Sequence, residues 1–160
     1  MNEVRPMQVL LVCSGNTCRS PMAEAILRAR LDRDDDLREI MVSSAGTSAW
    51  DGTPVSEGAY LVALERGFDL SDHRARMLTA DLVRDADLIL TMTEAHARRV
   101  AEVGGEQKVY TLGAYVGAPA DQEDVPDPMG GDVAQYREVL VLLDELLGRA
   151  VERIRVERRR

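Results

Sequence analysis

A cysteine and an arginine six positions apart are the residues with the clearest capacity for chemistry. Cys13 and Arg19 enclose the short polar segment 14–18. A loop of this size can direct its backbone N–H groups at an anion, and a following helix N-terminus adds partial positive charge. The same field favours the thiolate of Cys13, the nucleophilic form of cysteine. Arg19 can bind two phosphate oxygens and oppose the charge of a transition state. The pattern predicts an enzyme that handles phosphate through a cysteine nucleophile.

These residues lie in a segment with the pattern of a strand, a loop and a helix. Residues 7–12 form an apolar run typical of a parallel strand covered on both faces. Pro21 after Ser20 indicates a helix start, because proline at the first helical position loses no hydrogen bond. Gly15 and Asn16 tolerate the left-handed backbone that such a loop needs. The hydroxyl of Ser20 is expected near the sulfur, where it helps to hold negative charge.

Three other interpretations of this segment are disfavoured. A cysteine at the end of a buried strand usually only packs, but here the spacing, the helix start and the Gly-Asn pair agree on a functional loop. Cys13 and Cys18 are the only cysteines, and His73 and His96 do not stand at zinc-ligand spacing from them. A nucleotide-binding loop would end in Gly-Lys-Ser or Gly-Lys-Thr, and none occurs.

Composition limits the class of protein. The 160 residues are 45% hydrophobic, which fits one soluble α/β domain over residues 1–160 with a real core. A net charge of −8 argues against a nucleic-acid partner, despite the basic end at 153–160. No apolar run approaches membrane-spanning length, and the N-terminus lacks a secretory pattern. Cysteines confined to one loop fit a reducing cytoplasm.

Strand and helix patterns alternate along the chain, as in a parallel sheet with helical crossovers. Further strands are predicted at 40–44, 87–91 and 108–112, and helices from Pro54, after an N-cap at Thr79, over 93–103 and over 133–156. Ligands of such sheets bind at the carboxyl ends of the strands. Cys13, Ser44 and the long loop 113–132 are therefore expected to meet in one pocket.

Residues 12–21, VCSGNTCRSP, resemble the signature of the low-molecular-weight protein tyrosine phosphatase family, and the resemblance extends from Gln8 to about Arg153. That family includes bacterial tyrosine phosphatases, protein arginine phosphatases and thioredoxin-coupled arsenate reductases. The resemblance implies a single three-layer α/β domain, with a four-stranded parallel sheet flanked by helices. It also implies that a phosphate or another oxyanion, carried by a phosphorylated protein, binds between strand 1 and helix 1. The implied phosphate loop is Cys13, Ser14, Gly15, Asn16, Thr17, Cys18 and Arg19.

A second functional residue is expected late in the chain. Asp127 stands between Pro126 and Pro128, and both prolines restrict the backbone. In isolation it would be interpreted as a turn residue. The resemblance implies that Asp127 is the general acid, which protonates the leaving group and then acts as base on the hydrolytic water. The loop, the arginine and this acid supply the electrostatics, so no metal and no organic cofactor is predicted.

Other residues are assigned supporting roles by the resemblance. His73, in the segment 72–76, matches a His-x-Ala-Arg pattern and is expected to be structural, whereas His96, in a charged helix, receives no role. Cys18 either packs or forms a reversible disulfide with Cys13 that protects the nucleophile from over-oxidation. The residues that resemble the family's hydrogen-bond network around the loop are Asn16, Ser20, Ser44 and His73.

The substrate is indicated by mixed signals. Thr17 stands where the tyrosine enzymes usually carry isoleucine or leucine and the arginine enzymes carry threonine. Met129, Gly130 and Gly131 replace a pair of tyrosines and match an Asp-Pro-x-Gly-Gly pattern of the arginine enzymes. Trp50 resembles the aromatic wall of the tyrosine enzymes. We expect Thr17, Trp50 and Met129 to form the substrate wall, with a slight preference for phosphoarginine over phosphotyrosine.

Two alternative functions are weighed against a phosphatase. Arsenate reductases of this family shuttle a disulfide through cysteines outside the anion loop, and this chain has none. A non-catalytic phosphoprotein-binding module would have lost its nucleophile or its acid, whereas Cys13 and Asp127 are both present.

Overall fold

The computed structural model describes residues 5–159, which form one parallel sheet with helices on both faces. The strands are β1 (Gln8–Cys13), β2 (Met41–Gly46), β3 (Leu88–Thr91) and β4 (Val109–Thr111). The helices are α1 (Arg19–Asp32), α2 (Glu57–Glu65), α3 (Ala80–Asp85), α4 (Glu94–Val100), α5 (Leu112–Tyr115) and α6 (Val133–Arg158). The strand order is β2-β1-β3-β4, and every pair is parallel. The predicted four-stranded fold class is confirmed.

The sheet separates two apolar cores, because successive side chains of a strand point to opposite faces. On β1, Val9 and Leu11 pack with residues of α1, α2 and α6. Leu10 and Val12 pack on the other face with residues of α3 and α4, and their core is smaller. Full burial of one such side chain stabilises the fold by about 2 kcal/mol. This burial fixes the central strand that ends at the phosphate loop.

The helix predicted from Pro54 begins three residues later, at Glu57. Pro54 instead forms an antiparallel bridge with Arg74. The backbone N–H of Ser56 donates a hydrogen bond to the carbonyl oxygen of Thr17 at 2.8 Å. Long-range contacts with Arg74 and with the phosphate loop therefore replace the first helical turn that the proline suggested.

The other differences from the predicted elements are at their ends. The helix predicted over 93–103 ends at Val100 and continues as one wider turn, Ala101–Gly105, in which Gly104 has φ of 103°. β4 stops at Thr111, whose side chain accepts a hydrogen bond from the N–H of Ala114 and caps α5, which begins at the last residue of the predicted strand and runs into the predicted loop. Within residues 5–159, no helix has the length and apolar character needed to cross a membrane.

Candidate active site

The phosphate loop connects the end of β1 to the start of α1, and carbonyl groups of the loop accept hydrogen bonds from residues outside it. The carbonyl oxygens of Cys13, Ser14 and Thr17 accept hydrogen bonds from the N–H groups of Thr47, Ser48 and Ser56, at 2.9, 2.9 and 2.8 Å. None of the residues in the described range accepts a hydrogen bond from the N–H groups of residues 14–18. These five donors are available to an anion, which is the arrangement that anion-binding loops use.

Asn16 organises the loop from beneath. It is fully buried and has φ of 57°, a conformation that asparagine tolerates better than most residues. Its Nδ2 donates to Oγ of Ser20 at 2.8 Å and to Oγ of Ser44 at 2.9 Å, and its Oδ1 accepts the N–H of Arg76 at 3.0 Å. Its carbonyl oxygen accepts a hydrogen bond from Nε2 of His73 at 2.7 Å. The structure thus brings together the four residues predicted to support the loop.

The Cys13 sulfur has a hydroxyl partner. Sγ lies 2.9 Å from Oγ of Ser20, and Cys13 is only 1% exposed. Because Oγ of Ser20 already accepts a hydrogen bond from Nδ2 of Asn16, the Ser20 hydroxyl can donate its own hydrogen bond to the sulfur. Ser44 likewise accepts a hydrogen bond from Asn16 and donates its own, to Oε1 of Glu24 at 2.7 Å. Asn16 therefore donates to Ser20, and Ser20 donates to the Cys13 sulfur, where its hydrogen bond stabilises a negative charge.

Gly46, at the end of β2, lies directly under the phosphate loop. A Cβ atom at this position would lie 2.3 Å from the carbonyl oxygen of Ser14 and 2.9 Å from the backbone nitrogen of Asn16. Such distances are too short for non-bonded atoms, and the contacts are with backbone, which cannot rotate away. Glycine is therefore required for β2 to support the loop at this distance.

Arg19 connects the phosphate loop to the acid loop, residues 125–131. Its side chain is 4% exposed, and Nη1 donates to the carbonyl oxygen of Val125 at 3.0 Å. Nη2 lies 3.6 Å from Oδ2 of Asp127 and 3.5 Å from Oγ of Ser14. Its buried Nε has no partner within residues 5–159. A buried guanidinium that keeps donors unused is suited to binding an anion beside it.

The carboxyl group of Asp127 is half exposed and stands over the same loop. Its Oδ1 accepts the N–H of Met129 at 3.0 Å, which holds the side chain, and lies 3.8 Å from Sγ of Cys18. Burial, followed by the negative charges of Cys13 and Asp127, raises the pKa of Cys18 to about 12. Cys18 therefore remains a thiol near neutral pH. Both cysteines are free.

His96, for which no role was predicted, lies at the site. It is buried, and Nε2 is 2.8 Å from Oγ of Ser14. Burial and the positive charge of Arg19 lower the pKa of His96 to about 4, although Asp124 and Asp127 oppose this shift. The available signal was its place in the first turn of the helix that follows β3, at the same sheet edge as Cys13.

A cavity of about 510 Å³ opens beside these groups, large enough for a phosphoryl group and its leaving group. The polar side chains on its wall include those of Ser14, Arg19, His96, Asp124 and Asp127. Cys13 lies beneath the loop and is not part of this wall.

The predicted substrate wall is not gathered at the cavity. Trp50 is 84% exposed, Met129 is 54% exposed, Thr17 is half-buried, and none of the three lines it. In the described part of the chain, no three His, Cys, Asp or Glu side chains are grouped so that they could hold a metal ion.

Known proteins resemble this chain over nearly its whole length. The protein-arginine-phosphatase of Bacillus subtilis is 36% identical over 155 residues, covering 96% of this chain and 100% of the relative. The probable low molecular weight protein-tyrosine-phosphatase EpsP of Ralstonia nicotianae is 38% identical over 152 residues, covering 92% and 95%. The tyrosine phosphatase Wzb of Escherichia coli K30, solved in complex with sulphate, has a TM-score of 0.81 and is 30% identical, covering 92% of this chain and 97% of Wzb.

The family model for low molecular weight phosphotyrosine protein phosphatase matches residues 8–160. The predicted resemblance is confirmed, as is the class of activity, a cysteine-dependent phosphatase. The chain belongs to the low molecular weight phosphotyrosine protein phosphatase family.

Proposed function

We propose that this chain is a single catalytic domain that removes phosphoryl groups from proteins, with Cys13 as nucleophile, Arg19 as oxyanion clamp and Asp127 as general acid. The observation that carries the proposal is the set of N–H groups at residues 14–18 without a hydrogen-bond partner, in the segment of the chain that begins at Cys13 and ends at Arg19. The relative solved with sulphate supports an oxyanion as the occupant.

The first step transfers the phosphoryl group to sulfur. The thiolate of Cys13 attacks phosphorus, the bond from phosphorus to the leaving nitrogen or oxygen breaks, and the proton of the Asp127 carboxyl group passes to the leaving atom. The loop N–H groups and Arg19 stabilise the charge on the equatorial oxygens. A hydrogen bond donated by the Ser20 hydroxyl stabilises the thiolate before attack and after its release.

The second step hydrolyses the phosphocysteine. Asp127, now a carboxylate, removes a proton from water while the water oxygen attacks phosphorus and the phosphorus–sulfur bond breaks. Inorganic phosphate leaves, and Cys13 and Asp127 return to their starting forms. The half-exposed position of Asp127 suits both proton transfers, because the carboxyl group reaches solvent as well as the cavity.

We propose phosphoarginine as the preferred substrate, with phosphotyrosine and simple aryl phosphates hydrolysed less efficiently. Asp124 lines the cavity beside Asp127, and its carboxylate favours a cationic guanidinium leaving group over a neutral phenol. Thr17 does not line the cavity, but it stands in the phosphate loop where the tyrosine enzymes usually carry isoleucine or leucine and the arginine enzymes carry threonine. The two relatives described above are named for different substrates at nearly equal identity, so their names do not decide between them.

The test is the ratio of kcat/KM for a phosphoarginine peptide to that for the matched phosphotyrosine peptide. We expect a ratio above one, and we expect Thr17→Ile to shift it at least about tenfold towards phosphotyrosine. A preference for phosphotyrosine that Thr17→Ile leaves unchanged would refute the substrate assignment. Hydrolysis of p-nitrophenyl phosphate that disappears in Cys13→Ser separates an enzyme from a phosphoprotein-binding module.

A cytoplasmic location is proposed with this function, because a nucleophilic thiol beside a second thiol requires a reducing environment to stay active.

A further inference from the structure

We propose that Ser14 donates a hydrogen bond to the bound phosphoryl group and that His96 is the positioning residue that aims the Ser14 hydroxyl. The inference rests on the proposed function, since it adds a donor to the same site. His96 lies outside both the phosphate-loop pattern and the acid loop, and the directions of its hydrogen bonds give it this role.

The backbone determines which nitrogen of His96 carries a proton. The N–H of Thr93 points at Nδ1 of His96, with a nitrogen–nitrogen distance of 3.1 Å. A backbone N–H can only donate, so Nδ1 must present its lone pair. The hydroxyl of Thr93 lies 3.0 Å from the same Nδ1 and caps α4 by accepting the N–H of His96. In the neutral ring the proton is therefore on Nε2.

The Ser14 hydroxyl must then turn its own proton elsewhere. Nε2 of His96 donates to Oγ of Ser14 at 2.8 Å, and Nη2 of Arg19 approaches the same oxygen at 3.5 Å. Both neighbours are donors without a lone pair, so both use the acceptor side of the hydroxyl. Within residues 5–159 the Ser14 hydroxyl has no hydrogen-bond partner other than these two donors. The proton is left for a group in the cavity that Ser14 lines with Arg19 and Asp127.

The surroundings of His96 keep this polarity fixed. The ring is 5% exposed, and burial together with the Arg19 charge lowers its pKa to about 4. A second ring proton would also face the Thr93 N–H, which would break that hydrogen bond. His96 thus acts as a neutral, permanent donor to Ser14 and not as a general acid or base.

The chemical consequence is an additional neutral donor at the phosphoryl group. A donor held in place gains most when charge builds on the oxygens in the transition state, so it lowers the barrier more than it improves ground-state binding. We therefore expect the pair to affect kcat more than KM. Loss of the Ser14 hydroxyl should reduce kcat about tenfold or more, less than in sites that depend on one donor, because Arg19 and the loop N–H groups remain.

The experiment is a double-mutant cycle on Ser14 and His96 with p-nitrophenyl phosphate. We expect Ser14→Ala and His96→Leu each to lower kcat about tenfold with KM changed less than about threefold. The double variant should be no slower than Ser14→Ala, because His96 acts through the hydroxyl. If the double variant instead loses kcat by the product of the two single losses, the proposal is overturned. Such a result would mean that His96 affects kcat without acting through the Ser14 hydroxyl.

Conservative variants keep the test decisive if His96→Leu does not fold. Ser14→Thr keeps a hydroxyl and His96→Gln keeps a donor at the Nε2 position, so each should recover most of the lost kcat. Failure of both to do so, in protein with a cooperative thermal transition, would contradict the assignment. The ring-nitrogen NMR signals of His96 are those that are missing from the spectrum of His96→Gln. They should show a protonated Nε2 and an unprotonated Nδ1 at pH 7. The opposite tautomer would also overturn it.

The two proposals fail in distinguishable ways. If the wild-type protein does not hydrolyse p-nitrophenyl phosphate, the proposed function is wrong and the positioning pair is wrong with it. If the wild type is active, Cys13→Ser is inactive and Ser14→Ala stays within twofold of the wild type in kcat, only the Ser14–His96 inference is overturned.

Discussion

The guanidinium of Arg19 lies 3.6 Å from the carboxylate of Asp127, although Arg19 is almost fully buried and Asp127 is half exposed. Arg19 starts α1, and Asp127 lies more than a hundred residues later in the acid loop. The pair therefore joins the clamp of the site to its acid across the carboxyl edge of the sheet. The relationship predicts that changes at Asp127 act on chemistry and have little effect on the fold.

Removal of the acid should slow the enzyme in a way that depends on the leaving group. We expect Asp127→Asn to reduce the rate constant of the first step about 10²- to 10⁴-fold for phosphoarginine and phenyl phosphate, which need a proton on the departing atom. An aryl phosphate with a very acidic phenol should lose far less. A series of aryl phosphates measured under single-turnover conditions checks this. An equal loss across the series would contradict the role of general acid.

Loss of the Asn16 side chain should destabilise the whole domain. Asn16→Ala removes two buried hydrogen bonds that Asn16 donates and the acceptor of the partly buried Arg76 N–H. We expect the free energy of unfolding in urea to fall by about 2–4 kcal/mol. The matched control is Ser48→Ala at an exposed serine, which should change it by less than about 0.5 kcal/mol. Equal effects of the two changes would contradict the buried network.

A methyl group at Gly46 should displace the phosphate loop. In Gly46→Ala the new Cβ would overlap the Ser14 carbonyl oxygen, so we expect weaker inhibition by inorganic phosphate as well as lower stability. Gly148→Ala is the control, because its Cβ would meet only the movable guanidinium of Arg30, and alanine favours the helix by about 1 kcal/mol. An unchanged phosphate inhibition constant in Gly46→Ala would show that the loop does not depend on this contact.

The Cys18 thiol should make disulfide closure slow and pH-dependent. Its pKa is raised to about 12, so its thiolate fraction near neutral pH is very small and grows about tenfold per pH unit. After brief treatment with peroxide, formation of the predicted Cys13–Cys18 disulfide should accelerate between pH 7 and 9. Mass spectrometry of trapped protein measures it. A Cys18→Ser variant that recovers activity with thiol as fully as the wild type would remove the protective role.

Protonation of His96 should destabilise the protein in weak acid. Its pKa of about 4 in the folded state lies below the ordinary value of 6.5, so the unfolded chain binds more protons between these values. Its contribution to stability is complete above pH 6.5 and is lost as the pH falls towards 4. The slope in this window should not exceed about 1.4 kcal/mol per pH unit for one proton. The free energy of unfolding in urea should depend differently on pH in the wild type and in His96→Gln only in this pH window.

Local patterns in the sequence were sufficient for the parts of the site that are local in the chain. Cys13 and Arg19 belong to one strand–loop–helix unit, so their spacing already contained the geometry. His96 was missed because its partner Ser14 is 82 residues away and no periodic pattern links them. The helix start at Pro54 was wrong for a similar reason, since the Thr17 carbonyl binds Ser56. Propensity describes a residue's neighbours in sequence, and these residues are determined by neighbours in space.

The bond between the Arg76 backbone and the Asn16 side chain spans 60 residues. It means that the ten-residue motif VCSGNTCRSP does not form the anion site when it is moved to another protein. A fragment that ends before Arg76, or a foreign scaffold carrying only the motif, would contain every residue of the motif. It would lack the distant segments that curve the backbone, and we expect it to have no measurable affinity for phosphate.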